Sequence, residues 1–310
     1  MNLMTKVIAI VGPTAVGKTA LSLKLAHALN GEIISGDSMQ VYRHLDIGTA
    51  KVTPQEMAGI EHHLIDILDV HERFSVADFK QQAQAQIQAI AKRGHQPMIV
   101  GGTGFYLHAL THALVLGNDH FDQQSQAIRD HWHQVAQQAG NQFVWNVLAQ
   151  KDPAAAQQIP VANLRRVIRA LEVIEKTGRP FSLQPQQTSP DEYFLVALTT
   201  ERQLLYERIN QRVDQMVANG LLDEARWLYE QGGEALPAGK GIGYRELFAY
   251  FAGEISLAAA IEKIKLDSRH YAKRQLTWFR NQEECHWFDL VQGQSSTEEI
   301  QAHLERWLKK

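Results

Sequence analysis

The sequence predicts an α/β protein, with a parallel sheet flanked by helices and an inserted, mainly helical domain. Three observations predict it. Apolar runs of strand length at about 7–11, 31–35, 97–100, 193–198 and 285–290 are separated by helical patterns. Two of these runs end in glycine-rich turns that open a helix. Between 117 and 191 no strand pattern occurs, and the sheet resumes only afterwards. The chain therefore divides into a core, 1–116 with 192–310, and a helical insertion domain, 117–191.

The first element sets the architecture. Val7-Ile8-Ala9-Ile10-Val11 is followed by Gly12-Pro13-Thr14-Ala15-Val16-Gly17-Lys18-Thr19 and then by a helical pattern through Leu21, Leu25 and Leu29. Strand, glycine-rich loop and helix in this order make a P-loop in its required context, so the sheet is expected to be P-loop NTPase-like. The glycines let backbone N–H groups turn inward, the helix N-terminus adds partial positive charge, Lys18 reaches the outer phosphates, and Thr19 can hold Mg²⁺. These parts suit an anion with at least two phosphates, and leave open which one.

The second strand, Gly31 to Ser35, leads into Gly36-Asp37-Ser38-Met39-Gln40, at the sheet edge where open α/β sheets place ligands. Asp37 reads as a turn former, a general base or a metal ligand. The adjacent His62 and His63 would point to opposite faces of a strand and are not read as a metal site. Ser75 with Asp78 forms a capping box for a helix that Gly94 stops. Strand 97–100 then ends in Gly101-Gly102-Thr103-Gly104, a second candidate ligand turn with a hydroxyl at Thr103. In the insertion the clearest helix runs from the cap Asn163 to Gly178, and the loop Gly178 to Pro190 follows. After strand 193–198 come helices at about 201–219 and 221–231. On the first, Arg208 and Arg212 lie one turn apart, a spacing that suits a diphosphate. A helix at about 256–280, a short strand and a tail helix capped at Ser296 close the chain.

Composition narrows the class. The chain has 310 residues, 45% of them apolar, enough for a large core. A single cysteine, Cys285, excludes an internal disulfide and a cysteine-rich zinc site, and no run approaches a membrane span. A cytoplasmic protein is expected. The formal charge of −3 argues weakly against a polyanion partner, but the charge is unevenly spread. Lys263 to Arg280 holds six Lys or Arg against one Asp, and Asn163 to Arg179 holds five against two Glu. These stretches are either a nucleic-acid footprint or solvated helix faces.

With these motifs in place, the chain resembles the bacterial tRNA dimethylallyltransferases, the tRNA isopentenyltransferase family. The resemblance is carried in order by Gly12 to Thr19, Asp37 to Tyr42, Asp46 to Lys51, His62 to Asp66, Gly101 to Tyr106, Arg166 to Glu172, Gly241 to Tyr244 and Ala272 to Arg280. It implies transfer of a dimethylallyl group from dimethylallyl diphosphate, bound by the P-loop with Mg²⁺, to the N6 amine of the adenosine 3′-adjacent to a tRNA anticodon. It further implies that Asp37 is the general base on that amine, and that Lys18, Thr103, Arg212 and Arg208 stabilise the departing diphosphate. The family's contacts to the tRNA anticodon stem-loop fall here on Asp37-Ser38-Met39-Gln40, Thr103, Arg129, Arg165-Arg166-Val167-Ile168-Arg169, Gly241-Ile242-Gly243-Tyr244-Arg245-Glu246 and Lys273-Arg274-Gln275-Leu276-Thr277-Trp278-Phe279-Arg280. A monomer without membrane attachment is expected. Phe105 replaces the usual leucine and Val52 the usual proline, and residues 118–160 match poorly apart from Arg129.

Two other readings remain compatible with a P-loop: a small-metabolite kinase, and an NTP-dependent RNA-binding switch. Both require nucleotide recognition, for which the sequence shows no clear Walker-B strand ending in an acidic residue.

Overall fold

The computed structural model describes residues 4–114, 123–183 and 189–310. The expected domain boundary at 117 and residues 184–188 of the 178–190 loop lie outside these. The chain forms two compact units, 1–111 with 189–310, and 112–188.

The larger unit opens with β1 (Lys6–Val11), α1 (Lys18–Ala28) and β2 (Gly31–Ser35), followed by a one-turn helix α2 (Pro54–Met57) and a two-residue strand β3 (His62–His63). The helix α3 (Val76–Lys92), strand β4 (Gln96–Gly101) and helix α4 (Gly104–Thr111) lead to the smaller unit, which holds α5 (Gln123–Ala139), α6 (Asn141–Lys151), α7 (Pro153–Gln158) and α8 (Leu164–Thr177). The larger unit resumes with β5 (Glu192–Leu198), α9 (Arg202–Ala218), α10 (Leu221–Glu230), α11 (Arg245–Phe251), α12 (Leu257–Gln282), β6 (His286–Phe288) and α13 (Thr297–Leu308).

All six strands are parallel, in the order β3-β2-β4-β1-β5-β6. Parallel pairing requires a crossover between successive strands, and each crossover helix covers a face of the sheet. Side chains alternate across β1 accordingly. Ile8 and Ile10 pack into the cluster containing Leu21, Leu25, Ile300 and Leu304, while Val7, Ala9 and Val11 face Phe79, Ile87 and Phe279. The edge strand β3 is too short to show periodicity in the sequence, and it is held by backbone pairing to Ile33 and Ile34.

Local signals place the helix ends. Ser75 Oγ accepts from Asp78 N, whose carboxylate accepts from Ser75 N at 2.9 Å. Asn163 Oδ1 caps α8 through Arg166 N, and Ser256 and Ser296 cap α12 and α13. The smaller unit has its own core, built by Trp132, Val144, Leu148, Val167, Ile168 and Leu171.

Candidate active site

Because the strands are parallel, the turns after β1, β2 and β4 emerge at one edge of the sheet. With α9, α12 and the 240–245 loop they enclose a cavity of about 720 Å³.

The P-loop forms one wall. Gly12 has φ 137°, and a Cβ there would lie 2.5 Å from the Leu198 carbonyl oxygen, so the loop can leave β1 only at a glycine. Ala15 has φ 66°, and its carbonyl accepts a 2.8 Å hydrogen bond from Arg208 Nε. Arg208 therefore braces the loop. Arg212, one turn further along α9, lines the cavity, and its buried Nε has no hydrogen-bond partner among the described residues. Burial pulls its guanidinium below the usual range, with Asp37 acting in the opposite direction.

Lys18 donates to the Pro13 carbonyl. Burial first, then repulsion from Arg212, lowers its ammonium to about 7, while Asp37 acts to raise it. Two cations withdrawn from water beside a P-loop suit a multiply charged anion. Thr19 is exposed at the start of α1 and lines the same cavity. The donors beside the loop are the hydroxyls of Thr14, Thr19 and Ser35 and the Asp37 carboxylate, a hard-oxygen set that suits a divalent metal.

Asp37 Oδ1 accepts from Met39 N at 2.8 Å, which makes it a turn former. A carboxylate offers about four acceptor positions, so the turn leaves capacity for chemistry in the cavity it lines. Thr103 ties the second glycine-rich turn to this one: its Oγ1 accepts from Ser38 N at 3.3 Å and its N–H donates to Gly36 O. Gln275 on α12 holds the same turn by donating to Gly102 O at 2.9 Å.

Two cavity-side residues carried no signal in the sequence reading. Tyr271 lines the cavity, and burial, reinforced by Asp37, pushes its phenol up to about 12 against the hydrogen bonding of Thr103 and Gln275. Glu224 on α10 accepts from the backbone N–H groups of Asp46, Ile47 and Gly48 at 2.8, 2.8 and 2.9 Å and orders the loop that forms the opposite wall. The Asp46 to Lys51 motif is structural in the same way, since Lys51 Nζ bridges Asp46 and Asp66 at 2.6 Å each. His63 pairs with buried Glu32 at 2.7 Å.

The remaining expected residues divide by exposure. Arg165 and Arg166 are exposed on α8, whereas Val167 and Ile168 are buried in the core of the smaller unit. Arg129 and Arg169 both pair with the fully buried Glu172. Lys273, Arg274, Thr277 and Arg280 are exposed on α12, and Leu276 and Trp278 are partly so, while Gln275 and Phe279 are buried. In the 241–246 loop Arg245 is exposed and Ile242 half-buried, while the Tyr244 and Glu246 side chains face inward. Val167, Ile168 and Phe279 act by packing, whereas Gln275, Tyr244 and Glu246 make hydrogen bonds within the fold.

A phosphate-cradling loop facing a carboxylate across one cavity defines a P-loop group-transfer enzyme. A family model described as IPP transferase matches residues 40–282. The tRNA dimethylallyltransferases of Limosilactobacillus fermentum and Enterococcus faecalis are 68% and 51% identical over 307 and 309 residues, covering 99% of this chain in both cases and 100% and 98% of the relatives. The crystal structure of tRNA isopentenylpyrophosphate transferase from Bacillus halodurans superposes with a TM-score of 0.72 at 47% identity, covering 98% of this chain and 95% of that one. A eukaryotic dimethylallyltransferase acting on tRNA gives 0.82 at 29% identity, covering 98% and 80%. The chain belongs to the IPP transferase family. Among the described residues, no helix is long and apolar enough to cross a membrane.

Proposed function

We propose that this protein transfers a dimethylallyl group from dimethylallyl diphosphate to the N6 amine of the adenosine 3′-adjacent to the anticodon in tRNA, releasing diphosphate. The observation that carries the reading is the placement of Lys18, Arg212 and Asp37 on one cavity behind a P-loop, in a chain of this family. Family membership over nearly the whole chain does not favour the kinase and RNA-switch readings.

The chemistry follows from the residues. As the allylic C–O bond breaks, its electron pair leaves with the diphosphate, and negative charge builds on that group. Lys18, Arg212, the loop N–H groups and Thr103 stabilise it, and Arg208 keeps the loop in shape. The N6 lone pair forms the new C–N bond and the N6 proton passes to the Asp37 carboxylate, a general-base contribution of about 10²- to 10⁴-fold. Thr19 is the residue that would hold Mg²⁺, whose contribution is further neutralisation of the diphosphate. The adenine must leave its stack to enter the cavity. Ser38, Met39 and Gln40, with the exposed cations of α8 and α12, bind the tRNA.

Mass spectrometry of a tRNA anticodon stem-loop after incubation with the protein, dimethylallyl diphosphate and Mg²⁺ tests the reading. The expected product carries one dimethylallyl group in place of a hydrogen on the target adenine. An unmodified stem-loop together with phosphoryl transfer from ATP would overturn it.

A further inference from the structure

Phe105 stands two residues beyond Thr103, at the start of α4, and is 43% exposed. A partly exposed ring here leaves apolar and π surface available for contact. It packs near-perpendicular to the Trp278 indole, with 6.1 Å between ring centroids and 78° between planes. Next to it lies a groove of about 570 Å³ lined by Lys273, Arg274, Thr277 and Trp278. Lys273 and Arg274 are exposed, and Arg274 also lines the catalytic cavity, so groove and cavity adjoin.

A partly exposed aromatic ring next to a groove with two exposed cations and a hydroxyl matches an unpaired nucleotide. The base stacks on the ring and the phosphate meets the cations. A purely apolar partner would leave both cations facing it unpaired. We propose that Phe105 and this groove bind the nucleotide adjoining the target adenosine, with its base on the Phe105 ring and its phosphate on Lys273 and Arg274. The inference rests on the proposed tRNA substrate. Extruding the target base breaks the stack around it, and a protein ring there replaces the lost neighbour.

The test uses an anticodon stem-loop carrying 2-aminopurine in turn at each position flanking the target adenosine. Fluorescence and RNA affinity are read over a range of salt for the wild type, Phe105→Ala and Phe105→Leu. Phe105→Leu retains apolar packing against Trp278 and removes the π face. Both variants are expected to lose the fluorescence change at one flanking position and to bind the stem-loop about tenfold more weakly. The salt slope should be unchanged, because stacking releases no counterions. Dimethylallyl diphosphate affinity should match the wild type. Wild-type-like RNA affinity and fluorescence in Phe105→Leu, with the wild type still transferring the allyl group, would overturn this proposal alone. Absence of transfer by the wild type would overturn the function on which it rests.

Discussion

Tyr244 Oη donates to Glu224 Oε1 at 2.7 Å, joining two loops of the cavity wall through one carboxylate. The same carboxylate accepts three successive backbone N–H groups from Asp46, Ile47 and Gly48. Gly48 makes the arrangement possible, because a Cβ there would lie 2.6 Å from the Tyr244 hydroxyl. Burial, with Glu224 adding to it, raises the Tyr244 phenol well above its usual value, so it stays a donor.

Glu224→Ala strands four donors and is expected to destabilise the protein by about 2–4 kcal/mol in urea unfolding, as loss of hydrogen bonds to a charged group does. Tyr244→Phe removes one bond and should cost about 1 kcal/mol. Glu224→Ala stability within about 0.5 kcal/mol of the wild type would show that the loop holds itself.

Asp37→Asn keeps an acceptor for Met39 N and therefore the turn, but removes the basicity. Single-turnover transfer should fall about 10²-fold or more, with tRNA and dimethylallyl diphosphate affinities changed far less. The rate is measured against Mg²⁺ concentration. Near-normal turnover, or full rescue by the metal, would end the general-base assignment.

The lowered Lys18 ammonium makes anion binding depend on pH. The charged form prevails below about 7 in the free protein, and a bound diphosphate favours that form. Affinity for dimethylallyl diphosphate should therefore fall as pH rises above about 7, by up to a decade per unit, and the fall should flatten in Lys18→Ala. For folding, the unfolded chain holds this proton up to its ordinary value of 10.5, so Lys18 makes a contribution to stability that increases with pH between about 7 and 10.5. Calorimetric titration over pH reads the first effect, and urea unfolding of wild type against Lys18→Ala reads the second. A pH-independent difference between them would place Lys18 in water.

Glu172 is fully buried, which would raise its carboxyl, yet Arg129 and Arg169 outweigh burial and hold it below the usual range. The stability it contributes is present above the unfolded carboxylate value and is lost as pH falls through the lower folded one. Glu172→Ala should remove about 3–5 kcal/mol by deleting the buried carboxylate that Arg129 and Arg169 share, and should flatten the acid limb of the unfolding profile. An unaltered acid limb would refute the pairing as a stabilising element.

Lys273→Ala with Arg274→Ala should weaken tRNA binding and reduce the salt slope by about 1.5, as expected for two phosphate contacts. Arg165→Ala with Arg166→Ala should act in the same direction, since both side chains are exposed. Binding titrations at several salt concentrations decide this. An unchanged slope in both double variants would mark these charges as solvated helix faces.

The sequence by itself determined the elements whose causes lie within a few residues. The strand, glycine-rich loop and helix around Gly12 to Thr19, the caps at Ser75, Asn163 and Ser296, and the glycine-rich turn at Gly101 could all be read because turn chemistry and apolar periodicity act between neighbours in the chain. Only the tertiary structure decided what closes the site. It assigned Arg208 to the Ala15 carbonyl 193 positions away, Glu224 to a loop 176 to 178 positions away, and Gln275 to Gly102 across 173. It also separated Arg165 and Arg166 from Arg129 and Arg169, which share Glu172. The charge pattern of a helix shows which residues carry charge, but whether that charge meets solvent, a substrate or a buried partner is set by close packing between segments that the chain order keeps apart.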